Sequence, residues 1–427
     1  MSLNNTSSNR SAVIDRYIEN LDSPNPRLRS QAAEDLGKLM AQDAVPELIQ
    51  HLQGDVNTYV RSAIAEALGR IGDTRAIFPL MDALRDSCSF VRRAAAIALG
   101  QMQAKQAQGA LLRALDDPNF YVRRAAINAV GKLDIPDMGP MLIPLLETPD
   151  PRIRRTVTIA IRRLHTQAAI PKLIEVLEGY LLEPNQRDLP VVKTLVVALG
   201  ELNAQEAVPA LIRIMRGYVG VRSLTAKALG KIGDPQAGPA LLEALKDERS
   251  KNLQLAALRS LAQLKYQQAI PTVRQFLDGP DPRLRRTAAL TLGLLQDRGA
   301  KDKLLMLARE DDSPLVRPAA VEALGMVGDA QVIDSLLPLV NDGNAYLRAA
   351  LAHALGNLDG STPVVHEALL LLQEDKVRHV VIAAERALAN CALGDVMHST
   401  KQVQEPDACP EPEKRHVSWL RRFLGRG

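Results

Sequence analysis

The sequence predicts an all-α, right-handed solenoid of about twelve two-helix units. Three observations carry this. The stretch Tyr121-Val-Arg-Arg-Ala-Ala-Ile-Asn-Ala-Val-Gly131 recurs as Tyr59 to Gly69, Phe90 to Gly100 and Leu315 to Gly325. Self-similarity at a fixed period marks a stack of supersecondary units with no single central core. The spacing is regular. Anchors at Gly37, Gly69, Gly100, Gly131, Arg162, Gly200, Gly230, Ala262, Gly293, Gly325, Gly356 and Ala389 lie 30 to 33 residues apart, apart from one interval of 38. A period near 31 holds two helices of about three turns each plus two short turns. Aromatic residues are 3% of the chain, which suits helices packed through small side chains better than a sandwich of strands.

Each unit opens on an aspartate turn, as at Asp117-Pro118, Asp150-Pro151 and Asp281-Pro282. Aspartate suits a helix start because its carboxylate accepts orphan backbone N–H groups. The first helix follows, with Val122, Ala125, Ala126, Ala129 and Val130 as its apolar stripe. Gly131 is expected to end it in the left-handed conformation that only glycine adopts without steric cost. The second helix begins near a proline, as at Pro46, Pro79, Pro140 and Pro171, because the first helical turn has no use for the missing N–H. The long interval places its excess at Glu178 to Pro190, which predicts a longer surface loop carrying Tyr180, Leu181 and Leu182.

The expected organisation is a disordered N-terminus and capping helix over 1–20, with the helix starting at Ala12. The repeat array follows over 21–394. A Pro-containing polar linker over 395–414 and a basic amphipathic tail over 415–427 complete the chain.

The 53 basic residues against 49 acidic ones leave a nearly neutral body, which argues against nucleic acid as the partner. Cys88, Cys391 and Cys409 are too few and too scattered for a disulfide framework or a zinc site. With a polar N-terminus and no run of about 20 apolar residues, the chain is expected in the cytoplasm.

No catalytic constellation is visible. The seven histidines are scattered, and neither a Ser-His-Asp arrangement nor a Gly-rich phosphate loop occurs. The recurring candidates are arginines. The first of each unit (Arg29, Arg61, Arg92, Arg123, Arg154, Arg222, Arg285, Arg317, Arg348) lies eight residues before its anchor. It is expected to bind turn aspartates or neighbouring carbonyls as part of stacking. The aromatic two residues ahead of it (Tyr59, Phe90, Tyr121, Tyr346) is expected to pack at the helix entry. A second arginine, turned by about 100°, gives Arg93, Arg124 and Arg155 as an exposed basic ladder suited to carboxylates. Two exceptions to the repeat complete the candidate binding residues: Tyr180 and Leu181 in the insertion, and Trp419, Arg421, Arg422 and Phe423 in the tail. The tail's stripe suits a partner groove or peripheral contact with an anionic membrane.

Val60 to Leu80 and Val221 to Leu241, with Val-Arg-x-x-x-x-x-Ala-Leu-Gly or its near equivalent followed by Ile-Gly-Asp-x-x-Ala, resemble the HEAT-like repeat of phycobilisome lyases. The resemblance runs over about Leu21 to Leu393. It implies a HEAT-like superhelix that binds a protein, with a phycobiliprotein subunit as the expected partner, acting as chaperone, assembly factor or lyase-like protein. The chain would be a monomer or part of a hetero-complex, in the cytoplasm or at the thylakoid surface. It would need no cofactor of its own, a linear tetrapyrrole being a substrate; if the chain is an enzyme, the resemblance implies a bilin lyase. The alternative is a non-catalytic scaffold of another complex, docked through its tail. A related class builds a di-iron site from recurring His-Glu pairs, which the single pair His366-Glu367 does not supply.

Overall fold

The structure is a computed structural model describing residues 3–182, 185–358 and 362–400. Every regular element among the described residues is helical. The chain forms two compact units, Met1–Ala210 and Leu211–Gly427. In the first, the first helices of successive repeats are Pro26–Lys38, Thr58–Ile71, Ser89–Gln101, Phe120–Val130, Pro151–Arg163 and Leu189–Glu201. In the second they are Arg222–Ile232, Lys251–Gln263, Pro282–Leu294, Val316–Val327, Ala345–Leu358 and Arg378–Thr400. Within each unit, successive first helices lie against one another, and most also lie against the second helix that precedes them in the chain. The expected α-solenoid repeat is therefore present.

The interior is built from leucine, alanine, valine and isoleucine, with Leu36, Leu68, Leu99, Ile127 and Leu142 fully buried. The second helices are shorter than three turns in several repeats, and proline explains it. The helix Gly139–Leu142 passes into a 3₁₀ segment, Ile143–Glu147, at Pro144, and Ile333–Leu336 passes into Leu337–Asn341 at Pro338. Proline lacks the N–H for the i−4 bond and crowds that carbonyl, so the α-helix cannot continue.

The anchor glycine does something other than end its helix. Gly131 has φ −66 and ordinary right-handed geometry. A Cβ there would lie 2.8 Å from the Cβ of Ala160 in the next first helix. The same clash with a neighbouring alanine recurs at Gly37, Gly69, Gly100, Gly293, Gly325 and Gly356. The residue is glycine because two first helices touch backbone to side chain at that point. The left-handed position falls three residues later. Gly72, Gly233 and Gly328 occupy it in three repeats, but Met40, Gln103, Asp134, His165, Asn203, Lys265 and Gln296 occupy it in seven.

At the N-terminus the helix begins at Leu3, upstream of the expected Ala12, and runs to Leu21. At the other end the last helix extends to Thr400, into the stretch expected as linker. The insertion also differs from the expected loop. Glu178 to Leu182 are the last turn of the helix Ile170–Leu182, so the extra residues lengthen a helix.

Candidate protein-binding face

The first arginines form a ladder that staples consecutive repeats. Arg61 donates from Nε and Nη2 to the carboxylate of Asp86 in the next turn, at 2.8 and 2.9 Å, and from Nη1 to the Asp55 carbonyl at 2.8 Å. Arg29–Asp55, Arg92–Asp117, Arg285–Asp311 and Arg348–Asp375 repeat the paired contact, and Arg222–Asp247 and Arg317–Asp342 are further ion pairs at the same position. Each aspartate also orders its own turn: Asp86 accepts the Cys88 N–H at 2.8 Å and Asp117 accepts that of Asn119 at 2.8 Å. Burial pushes the Asp117 carboxyl up, but hydrogen bonds from Arg92 and the Asn119 N–H outweigh it and hold the group below its ordinary range. These arginines are consumed by packing, as their recurrence implies.

Thr148 replaces the aspartate that would face Arg123, which instead donates to the Asp117 and Pro118 carbonyls at 2.8 and 3.0 Å. Arg154 meets Tyr180. The phenol oxygen accepts from the Arg154 guanidinium, whose carbon stands 5.2 Å from the ring centre. Tyr180 is therefore 7% exposed, and its expected place in an exposed binding loop is corrected: it fills a vacant rung of the ladder. Leu181 is half-buried on the same helix, so it is not a loop residue either. Leu182 is exposed. Trp419, Arg421, Arg422 and Phe423 lie outside the described residues.

The second arginines face outward. Arg93 and Arg124 line one shallow cleft of about 270 Å³ together with Lys132 and Arg163, over a floor that includes Ile97 and Ala129. Arg155 lines a separate cleft with Arg162, Lys193, Ile159 and Pro190. Of these cations Arg162 is paired, with Glu201 at 3.1 Å. No ion pair joins Arg93, Arg124, Arg155, Lys132, Arg163 or Lys193 to a carboxylate among the described residues. The face is built to receive negative charge from outside.

The aromatics ahead of each Val-Arg belong to this face, not to the helix entry. Tyr59, Phe90 and Tyr121 are 70%, 56% and 52% exposed. Tyr59 and Phe90 stack across adjacent repeats with centroids 6.4 Å apart. The Arg124 guanidinium lies 5.7 Å from the rings of both Phe120 and Tyr121, and Arg152 covers Phe120 at 4.2 Å. Each aromatic sits three residues before the second-arginine position, and i,i+3 residues share a helix face; that spacing is the signal that would have placed them outside. Exposed aromatics interleaved with arginine are the composition that dominates protein–protein hot spots.

A sequence model of HEAT repeats matches residues 14–100, 79–146, 108–179, 185–253, 239–325 and 302–389. The chain belongs to the HEAT-repeat family. This HEAT-repeat chain is 45% identical over 60 residues to the bilin biosynthesis protein PecE of Nostoc sp.. It is 38% identical over 73 residues to a HEAT repeat-containing taxis protein of Halobacterium salinarum. These matches span 24% and 18% of the relatives' own lengths. Among solved structures, one of Kap95p with RanGDP is similar with a TM-score of 0.61 at 13% identity, covering 94% of this chain and 64% of that one. Importin beta gives a TM-score of 0.61 at 14% identity, covering 90% and 64%. At such identity these two show the HEAT-repeat fold alone. No helix among the described residues is long and apolar enough to cross a membrane.

Proposed function

We propose that this HEAT-repeat protein binds phycobiliprotein subunits as a lyase-like assembly factor or chaperone, using the aromatic and arginine face of its first unit. The observation that carries the binding surface is the run of exposed Tyr59, Phe90, Arg93 and Tyr121 with half-buried Arg124 on consecutive first helices, with neither arginine in an ion pair among the described residues. The identity to PecE supports the choice of partner class. A linear tetrapyrrole enters this reading as cargo of the partner; its propionate groups have the planar, bidentate chemistry that guanidinium groups match. The reading assigns binding to the face and no chemical step.

The test is binding of the full chain to purified phycobiliprotein subunits, measured by interferometry. Arg93→Glu with Arg124→Glu is expected to weaken capture at least about tenfold, since like charges replace a complementary patch. Unchanged capture by the double variant, or no capture by the parent, would sink the proposal. Coexpression with a bilin and an apo-subunit separates chaperone from lyase through the presence or absence of a covalent adduct.

A second reading, a non-catalytic scaffold for another complex, is favoured by the similarity to the archaeal taxis protein. It predicts that no phycobiliprotein binds and that residues 415–427 are required for assembly.

A further inference from the structure

The second unit presents the same repeat positions with different chemistry. Where the first unit has Arg93 and Arg124, successive first helices here carry Pro318 and Ala349. The small side chains open a groove of about 580 Å³, against about 270 Å³ for the basic cleft. Leu315, Pro318 and Met326 line it from the helix Val316–Val327 and the turn before it. Tyr346, 73% exposed, stacks on His379 across adjacent repeats with centroids 5.0 Å apart. Arg286 comes from Pro282–Leu294 and Arg386 from Arg378–Thr400, so the two guanidinium groups belong to the helices that flank the groove. Both are exposed and neither has a carboxylate within ion-pair distance among the described residues. The one acid on the lining is Glu322, half-buried from solvent and without an ion pair among the described residues.

We propose that this groove docks an extended segment of a partner protein whose centre is bulky and apolar and whose two ends are acidic. The apolar centre covers Leu315, Pro318, Met326 and the Tyr346 ring, and the acidic ends pair with Arg286 and Arg386. Charge complementarity decides the partner: both flanks are positive, and the lining's one acid, Glu322, forms an ion pair with neither among the described residues. Neighbouring helices lie about 8–10 Å apart, so three steps separate the flanking helices by roughly 25–30 Å. An extended chain of about eight residues spans that distance. Burial pushes the Glu322 carboxyl up to about 7, against the lowering effect of Arg286, so a neutral Glu322 admits an acidic guest without repulsion. The other titratable or charged groups on the lining are Arg286, Tyr346, His353, His379 and Arg386. Ionisation of Glu322 adds a negative charge to the lining, so binding weakens as pH rises.

The test uses the full chain and a fluorescent peptide of about twelve residues, with leucine and phenylalanine at its centre and paired glutamates at each end. Anisotropy is expected to show saturable binding at pH 6.5 that weakens at least about tenfold in Arg286→Glu and in Arg386→Glu. Arg93→Glu with Arg124→Glu should leave it unchanged, which separates this groove from the first-unit face. Glu322→Gln should bind several-fold tighter than the parent at pH 8 and equally at pH 6. If an arginine reversal fails to fold, Tyr346→Ala, at an exposed side chain, supplies the same comparison. The proposal is overturned if the peptide does not bind, if a lysine-ended version binds equally, or if the variants leave binding unchanged. It is equally overturned, in favour of a second copy of this chain, if the parent self-associates and Arg386→Glu abolishes that.

Discussion

Arg92 and Asp117 belong to consecutive repeats, and their side chains meet at 2.7 Å and 3.0 Å in a paired, half-buried contact. Arg92 also donates to the Asp86 carbonyl of its own turn at 2.8 Å. One guanidinium thus ties the start of its helix to the start of the next. Asp117→Ala leaves a half-buried arginine without its anion and an Asn119 N–H without its acceptor. The expected loss is about 2–4 kcal/mol, read as a lower midpoint of urea unfolding. Asp117→Asn keeps an acceptor for the N–H and should lose less. Equal midpoints for parent and alanine variant would mean the ladder is ornament on an already stable stack.

Acid should attack the Asp55, Asp86, Asp117, Asp311 and Asp375 rungs together. Burial pushes the carboxyls of Asp55, Asp86 and Asp311 up, but their arginine partners and turn N–H groups outweigh it and hold them below the ordinary range. For Asp375 the hydrogen bond from Arg348 is the main cause. A carboxyl with a depressed folded-state pKa contributes stability above its unfolded value near about 3.9, and that contribution is lost as pH falls through the folded value. Glu322 works the other way, since its folded value is raised from 4.5 to about 7, and it costs stability as pH rises across that window. The melting temperature should therefore decline shallowly above about pH 5 and fall steeply below about pH 4. Glu322→Gln should remove much of the shallow decline. A steep loss already at pH 5.5 would contradict the assignment to the aspartates.

The repeat, its period and the buried role of the first arginine are legible in the sequence because each recurs; a contact made by every unit leaves a mark in every unit. Arg93 and Arg124 are legible as outward-facing from helix geometry alone. What the sequence conceals is whatever depends on the neighbouring repeat. Gly131 has the spacing of a helix stop, and nothing local says that Ala160 will press against it. Tyr180 stands in an insertion, and only the packed structure reveals Arg154 beneath it. The exposed aromatics look like core because aromatics usually are, although their i,i+3 relation to the second arginine already fixed their side.

Glycine within a helix usually costs about 0.5–1 kcal/mol relative to alanine, so Gly→Ala in a helix ordinarily stabilises. At Gly69 the sign should reverse. A Cβ there would sit 2.6 Å from the Cα of Ala98, a backbone atom that can yield only if the helices separate. Gly69→Ala is expected to cost about 1–3 kcal/mol through overpacking. Gly54, the last residue of Val45–Gly54, has nothing within 4 Å of the same position, so Gly54→Ala should be neutral or slightly stabilising. Paired thermal unfolding curves decide this. If both variants shift the same way, the close approach of first helices is softer than described.

Tyr180 offers the sharpest separation of packing from binding. Its hydroxyl is a partner of Arg154, and its ring lies within cation–π range of the same guanidinium. Tyr180→Phe removes the acceptor and keeps the ring, so part of the contact survives. A hydrogen bond to a charged group contributes about 1.5–3 kcal/mol, and the Thr148 carbonyl, which accepts from Arg154 Nε at 2.9 Å, retains some of the guanidinium's satisfaction. The expected cost is therefore about 1–2 kcal/mol, with Tyr180→Ala costing more because the buried ring volume is also lost. Capture of a partner at the Arg93–Arg124 face should be unchanged in Tyr180→Phe below its unfolding transition. Weakened capture at full stability would instead return Tyr180 to the binding surface and displace the ladder role argued from its burial.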